Sequence, residues 1–351
     1  MLAYVLFALS AILSGAITHF LSKWAQQRKK FLPPVRERDV HTKPVPRVGG
    51  IAIVASFYIT TLLITAIFPD LLSFTNTKVL GIDRSLFGLF MGLFILTAVN
   101  ILDDYKSLRW QWRLLAQIAS AVIIIAFGIR VDWLTNPFGG VIQMGQWGSV
   151  FVIIWIVSLT NATNWLDGVN GLAGGVGAIA LAILYFLSIS PEVQQDGNAL
   201  LAAISCGAVI GFLPFNIVRA KAFLGDTGSM FIGFLVGAIA IISGGKVATA
   251  FLVLAIPFLD SIVVIITRLL NKQSPFRPDN RHLHHKLLQL GLKPYQIVLV
   301  IYTVSLFFGL LALYTQPIGK VAATILALLM TLALVLIYTV KTKKMTKDGE
   351  K

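Results

Sequence analysis

The chain is dominated by apolar runs, each close to the roughly 20 residues that an α-helix needs to cross a bilayer, joined by short polar connections. A chain patterned this way has few options. Inside hydrocarbon every backbone N–H and C=O must find its partner within the segment, so the runs must be helices. Eleven runs stand out, near 2–22, 48–68, 85–102, 114–129, 149–161, 171–189, 199–215, 229–244, 247–267, 294–315 and 321–340. Only 13% of the residues are charged, against about 25% in a soluble domain. The expected fold is an all-α polytopic membrane protein with about eleven transmembrane helices. It forms one integral-membrane domain over residues 1–351, with a basic tail at 341–351. The first run lacks a basic leader and a clear cleavage site, so it reads as an uncleaved span. The only cysteine, Cys206, lies within an apolar run and reads as a buried, inert thiol.

A net charge of +14 raises the question of a nucleic-acid partner, and the distribution of the charge answers it. Of the 29 Lys and Arg residues, 24 fall in the loops after odd-numbered runs or in the C-terminal tail, and 5 on the opposite side. By the positive-inside rule the first side is cytoplasmic, the N-terminus external and the C-terminus internal. The charge is topological, aided by anionic lipid, and no nucleic-acid module is needed. The expected location is the plasma membrane, crossed many times.

The same map sorts the unusual polar residues. NILDDYKSLRW carries Asp103 and Asp104; NATNWLDGVNGLAGG carries Asn161, Asn164, Asp167 and Asn170; FNIVRAKAFLGDTGS carries Asp226; and RHLHHKLL carries His282, His284 and His285. All four fall on the expected cytoplasmic face. External loops hold Asp70, Asp83, Asp132, Glu192 and Asp196 without a comparable cluster. Taken singly, each motif has a plain reading. Adjacent aspartates can be a solvated helix end, an Asn-rich segment closing in Gly can be a helix stop, and glycines can serve close helix packing. DGVNG lacks the spaced ligands of a calcium loop. HLHH lacks the partner cysteines and spacing of a zinc finger. The sequon at Asn161 falls on the wrong side for glycosylation. It is the shared sidedness that argues for a site.

Carboxylates and carboxamides without a thiolate suit a hard cation, Mg²⁺ in particular when phosphates complete its shell. Such an ion polarises a diphosphate and neutralises the leaving group. Arg and His on a neighbouring loop would clamp phosphate oxygens, and the paired aspartates would position or deprotonate an attacking acid oxygen. A membrane location adds a lipid substrate to a cytosolic one. The chemistry implied is phosphoryl-type transfer from a soluble nucleotide to a lipid carrier. A lipid transporter is the competing class, but transporters bind at the midplane between repeated halves, and no such repeat is visible.

In these four motifs and in KPVPRVGG (43–50), taken in order along nearly the whole chain, the sequence resembles the polyprenyl-phosphate N-acetylhexosamine-1-phosphate transferases. Within that family, RHLHHKLLQLGL is similar to the branch that uses UDP-N-acetylglucosamine and starts teichoic acid, enterobacterial common antigen or O-antigen synthesis. The branch that uses UDP-N-acetylmuramoyl-pentapeptide carries a PxHHHFE-like motif instead, and usually ten spans.

The resemblance implies a single transferase domain with its active site on cytoplasmic loops. It implies a UDP-sugar donor, undecaprenyl phosphate as acceptor, and Mg²⁺ as cofactor with Mn²⁺ as a substitute; a homodimer is left open. Asn164 and Asp226 would hold the metal. Asp167 and Asn170 would lie at the nucleotide, Phe223 would stack on uracil, and Lys43 and Asn216 would lie nearby. Asp103 and Asp104 would serve the lipid phosphate, and Asp167 joins them as a catalytic carboxylate. Arg281, His282, His284 and His285 would bind phosphate or sugar. Two positions depart from the family pattern. Asn170 stands where many bacterial relatives have Asp, which argues against a role needing charge there, and Arg113 replaces an expected Lys. Asp260, about two turns inside its span, reads as a partner to a Lys or Arg, and Pro257 just before it as a kink.

Overall fold

The computed structural model describes residues 1–32, 44–217, 220–244, 246–274 and 282–349, with side chains described as far as residue 338. Lys43 and Arg281 lie outside the described residues. Thirteen α-helices run through the described chain: α1 (Leu2–Arg28), α2 (Gly49–Ile67), α3 (Arg84–Lys106), α4 (Trp110–Ala126), α5 (Trp147–Leu166), α6 (Leu172–Ser188), α7 (Asp196–Phe212), α8 (Gly225–Ile242), α9 (Val247–Val253), α10 (Ala255–Leu270), α11 (Leu283–Gln289), α12 (Pro294–Tyr314) and α13 (Pro317–Gly349). Among the described residues eight helices are long and apolar enough to cross a membrane. The α9–α10 pair, bent by 81°, makes up to nine, and α4 and α6 are shorter apolar helices. The chain is a helical polytopic membrane protein. Two antiparallel ribbons interrupt the all-α pattern: β1 (Lys78–Val79) with β2 (Ile82–Asp83), and β3 (Trp133–Thr135) with β4 (Val141–Gln143).

The helix ends differ from the expected span ends in a way that matters for the site. The fifth run continues as α5 to Leu166, so Asn161 and Asn164 project from its last turns rather than from a loop. Likewise Asp103 and Asp104 lie within α3. The polar stretches read as connections are helix ends wherever their side chains find partners on a neighbouring helix. The ninth run breaks at Leu254, three residues before Pro257, which falls in the first turn of α10 where a missing N–H is tolerated. The backbone of the basic tail continues α13 as far as Gly349.

α8 is the axis of the bundle, buried along almost its whole length and packed by α2, α3, α5 and α6. Small residues allow this. A Cβ on Gly50 of α2 would collide with the backbone of Gly228, and one on Gly233 would lie 2.6 Å from the Leu159 carbonyl oxygen of α5. Lipid offers helices no hydrophobic drive to associate, so close backbone packing supplies the contact. The same device joins α1 to α7, where Gly207 and Gly211 sit against the backbone at Phe7 and Ala11. On α1, Ser10, Ser14, Thr18 and Ser22 form a buried stripe with a spacing of four residues.

At the end of the bundle opposite the motifs, Asp83 has a purely structural task. One carboxylate oxygen caps α3 through the N–H groups of Ser85 and Leu86, and the other accepts from the backbone of Phe74 and Thr75.

Candidate active site

Five segments meet where α3 and α5 end and α2, α4 and α8 begin. The first is the stretch leading into α2. Its Pro46 carbonyl accepts from Phe223 N–H at 2.8 Å, while Gly49 N–H and Gly50 N–H donate to the carbonyls of Phe223 and Leu224, each at 2.9 Å. KPVPRVGG and AKAFLGD are thus laced together, which brings Arg47 to the start of α8. Phe223 is half-buried there.

Asp104 is held deep in this junction, with its side chain 1% exposed. One carboxylate oxygen accepts from Asp226 N–H at 3.0 Å; the other accepts from Thr227 N–H at 3.0 Å and the Thr227 hydroxyl at 2.7 Å. These are orphan donors of a helix N-terminus, and an anion is favoured there. Gly225, at φ 72°, turns the chain into α8, and any Cβ on it would lie 2.7 Å from the Asp104 carboxylate.

Asp226, in the first turn of α8, faces the cleft. Arg113 of α4 donates to one of its oxygens at 2.7 Å and reaches Asp103 at 3.4 Å. The Asn164 amide donates to the other oxygen and to the Ser229 hydroxyl, both at 3.0 Å. Asp103 also accepts from Leu108 N–H just past the end of α3. Asn161 pairs with Gln117 of α4 (2.8 Å), bracing α5 against α4.

Asp167 stands one residue beyond the end of α5. Its carboxyl is pushed well above the usual carboxylate range, first by desolvation and then by the charges of Asp226 and Asp104, with Arg47 opposing. Asn170 is half-buried in the same loop. The loop closes at Gly171, whose φ of 79° suits glycine. Gly171 N–H donates to Asn216 Oδ1 (2.6 Å), Asn216 Nδ2 donates in turn to Ala222 O (3.0 Å), and Gly171 O accepts from the Tyr302 hydroxyl of α12. Asn216 is buried and ties the Asn-rich loop to the loop before α8.

The histidines form the opposite wall. His282 precedes α11, and its ring stacks on Trp165 (5.6 Å between centroids) and lies parallel to His284 (6.1 Å). His285 is 4.2 Å from His284. His284 lies against the Gly168 backbone so closely that a Cβ there would overlap its Nε2. Burial, then the neighbouring His285 and His282, push the His284 imidazole down to about 3, so it is neutral at cellular pH. Asp260 of α10 pairs not with a Lys or Arg but with His282: one oxygen meets His282 Nδ1 and Leu283 N–H, each at 3.0 Å.

Of the residues the motifs singled out, the structure brings Asp103, Asp104, Asn164 and Asp226 into one connected cluster, with Asp167 within electrostatic reach of Asp226 and Asp104. His282 and His284 dock on its rim through Trp165 and Gly168. Arg47, Thr227 and Ser229 lie inside KPVPRVGG and FNIVRAKAFLGDTGS without standing out from the sequence, and Arg113 stands out there only as a departure from the family pattern. Tyr302 gave no signal; it sits in the middle of an apolar run.

The donors suit a hard cation. Several carboxylates face Arg47 and Arg113, and beyond desolvation the charges of Asp226 and Asp104 push Asp167 further up. The Asn164 amide, turned over, would present its carbonyl oxygen beside Asp226. Among the described residues no three Asp, Glu, His or Cys side chains are gathered as a metal cage. An ion such as Mg²⁺ would take one or two carboxylates here and complete its shell with water and substrate phosphate.

A helical membrane bundle thus carries carboxylates, two arginines and a histidine cluster at one end. The chain belongs to glycosyl transferase family 4, whose sequence model matches residues 86–244. It is 32% identical over 286 residues to the probable undecaprenyl-phosphate N-acetylglucosaminyl 1-phosphate transferase of Bacillus subtilis (strain 168), covering 79% of this chain and 75% of the relative. It is 33% identical over 335 residues to the decaprenyl-phosphate N-acetylglucosaminephosphotransferase of Mycolicibacterium smegmatis, covering 87% and 80%. It is 30% identical over 304 residues to the undecaprenyl-phosphate alpha-N-acetylglucosaminyl 1-phosphate transferase of Thermotoga maritima, covering 86% and 88%.

Proposed function

We propose that the chain transfers N-acetylglucosamine 1-phosphate from UDP-N-acetylglucosamine to undecaprenyl phosphate, releasing UMP and initiating a cell-envelope polysaccharide such as teichoic acid or O-antigen. An oxygen of the lipid phosphate bonds to the sugar-bearing phosphorus, and the bond from that phosphorus to the bridging oxygen breaks. UMP leaves with the electron pair. The observation that carries this reading is the meeting of Asp103, Asp226, Asn164 and Asp167 around Arg113 and Arg47 at one end of a membrane bundle. The names of the relatives supply the donor and acceptor classes.

Asn164 and Asp226 would hold Mg²⁺, which would supply neutralisation of leaving-group charge. Asp103, at the end of α3, faces the acceptor phosphate; that group is already anionic near neutral pH, so Asp103 positions more than it deprotonates. Asp104 holds the first turn of α8, and with it the backbone of Asp226. Asp167 and Asn170 face the nucleotide, with Phe223 against the uracil and Lys43 nearby, while Asn216 shapes their loop. His282, His285 and Arg281 contact phosphate or sugar, and neutral His284 serves as a hydrogen-bonding wall. The topology proposed is eleven spans in the plasma membrane, N-terminus outside, with the site and C-terminus in the cytoplasm. Nine spans, with α9–α10 taken as one, plus the shorter α4 and α6, accord with that number.

The test is UMP release from UDP-N-acetylglucosamine, UDP-N-acetylgalactosamine and UDP-N-acetylmuramoyl-pentapeptide, each with and without undecaprenyl phosphate. The first donor should be preferred, and only with lipid present. Preference for the muramoyl-pentapeptide overturns the donor, and release without lipid overturns the acceptor. Sidedness is read in a Cys206→Ser background. Glu192→Cys should react with an impermeant thiol reagent in intact cells, and Lys293→Cys only after permeabilisation; equal labelling sinks the orientation.

A further inference from the structure

The motifs leave one buried carboxylate of the described bundle without a task. Asp260 is 4% exposed and lies on α10, outside the cluster around Asp226. A carboxylate inside a membrane bundle is costly and needs a reason. Its Oδ2 accepts from Leu283 N–H and meets His282 Nδ1, both at 3.0 Å, while Oδ1 makes no hydrogen bond among the described residues. This one side chain therefore fixes both the first N–H of α11 and the ring that precedes it.

Three directions of the His282 ring are then constrained. Asp260 holds it in its plane. Trp165 covers one face at 5.6 Å and 28°, and His284 lies parallel to it at 6.1 Å and 2°. With Asp260 ionised, the shared nitrogen must carry the proton, because a carboxylate only accepts. Nε2 is the remaining polar atom of the ring, and it makes no hydrogen bond among the described residues. Trp165, Pro257, Asp260, Ser261 and His282 line one small cavity, which joins α5, α10 and α11 at this point. A histidine fixed through Nδ1 by a carboxylate has a defined tautomer, and its other nitrogen is aimed at whatever it must bind.

We propose that Asp260 is a positioning residue for the transfer reaction, orienting His282 so that Nε2 meets the phosphate or sugar of the donor. The inference rests on the reading of His282 as a donor contact. Asp260 does not touch the substrate and acts only through the ring.

The experiment is a double-mutant cycle on the full-length protein, using UMP release with UDP-N-acetylglucosamine and undecaprenyl phosphate. Asp260→Ala should lower kcat/KM roughly 10–100-fold, the range for losing a group that orients a functional histidine. Asp260→Asn, which keeps an acceptor, should recover most of that loss. In a His282→Ala background, Asp260→Ala should add little. If it costs the same factor in both backgrounds, Asp260 supports the fold alone and the proposal is overturned.

A second measurement needs no turnover. In protein labelled with ¹⁵N-histidine, the resonance assigned by its loss in His282→Ala should show a protonated Nδ1, and Asp260→Ala should abolish that fixed state. An unchanged tautomer also overturns the proposal. If the wild type releases no UMP, the proposed function fails, while the labelled ring still reports whether Asp260 holds it.

Discussion

Asp104 of α3 accepts both the backbone N–H and the hydroxyl of Thr227, so the first turn of α8 is capped by a side chain from another helix. The adjacent Asp103 makes no such contact and turns toward Arg113. Successive helix residues point about 100° apart, which is how one pair of identical residues divides into an anchor and a cleft group.

Removing the anchor should cost stability. Asp104→Ala leaves buried N–H donors unpaired, at about 1–3 kcal/mol. The expected outcome is a lower Tm in detergent together with weaker binding of a non-reactive UDP-sugar analogue. Asp103→Ala, which frees the Leu108 N–H alone, should lower Tm less. Equal Tm values for the two variants would contradict the division of roles.

Asp167 should behave in the opposite sense. Its folded-state pKa lies above the unfolded value, so its stability contribution is full below the unfolded pKa, about 4, and is lost as pH rises through the raised folded value. Asp167→Asn should therefore melt higher than the wild type at pH 8 without divalent cation, and the advantage should vanish near pH 4. The variant should also lose turnover. A variant that melts lower at pH 8 would show that the carboxylate is compensated in the resting protein.

Asp226 and Asp103 separate metal binding from the acceptor. Asp226→Asn should abolish UMP formation, since a neutral amide oxygen is a poorer donor to a hard cation. It should also weaken analogue binding across a Mg²⁺ series. Asp103→Asn should leave donor affinity intact and slow transfer by roughly 10²-fold, the lower end of the range for proton-transfer assistance. Normal turnover by Asp226→Asn at low Mg²⁺ ends the metal assignment. Loss of donor binding in Asp103→Asn reverses the two halves of the site.

Gly168 tests whether the histidine wall must lie flush against the Asn-rich loop. A Cβ at this position would overlap His284 Nε2. Gly168→Ala should displace α11 and lower kcat on the order of 10²-fold, the scale of a 1 Å misplacement. The bundle melt should change little, because the collision lies at the rim. Wild-type turnover in this variant would show that α11 can move without consequence.

Much of the membrane architecture was legible because its causes are local to the chain. A run of apolar residues must be helical in lipid, and KPVPRVGG, NATNWLDGVNG, GDTGS and HLHH each announce themselves by polarity out of place. What could not be read depends on partners far along the chain. Asn161 and Asn164 extend a helix because Gln117, Asp226 and Ser229 receive their amides. The partner of Asp260 is a histidine 22 residues further along the chain, whereas charge alone suggested Lys or Arg. The break in the ninth run came at Leu254, since Pro257 fits the first turn of a new helix. Asn216 reads as a nucleotide neighbour by motif, yet both ends of its amide are engaged by the backbone.

The crossing of α2 and α8 at Gly50 and Gly228 has an evolutionary consequence. Each glycine fills the space the other would need for a side chain, so neither can vary alone and no single substitution leads away from the pair. Selection for a different donor or for inhibitor resistance should leave this crossing untouched. Change should collect instead on the half-open rim, among residues such as Phe223 and His285. Adaptable substrate recognition would then rest on a junction that drifts very little.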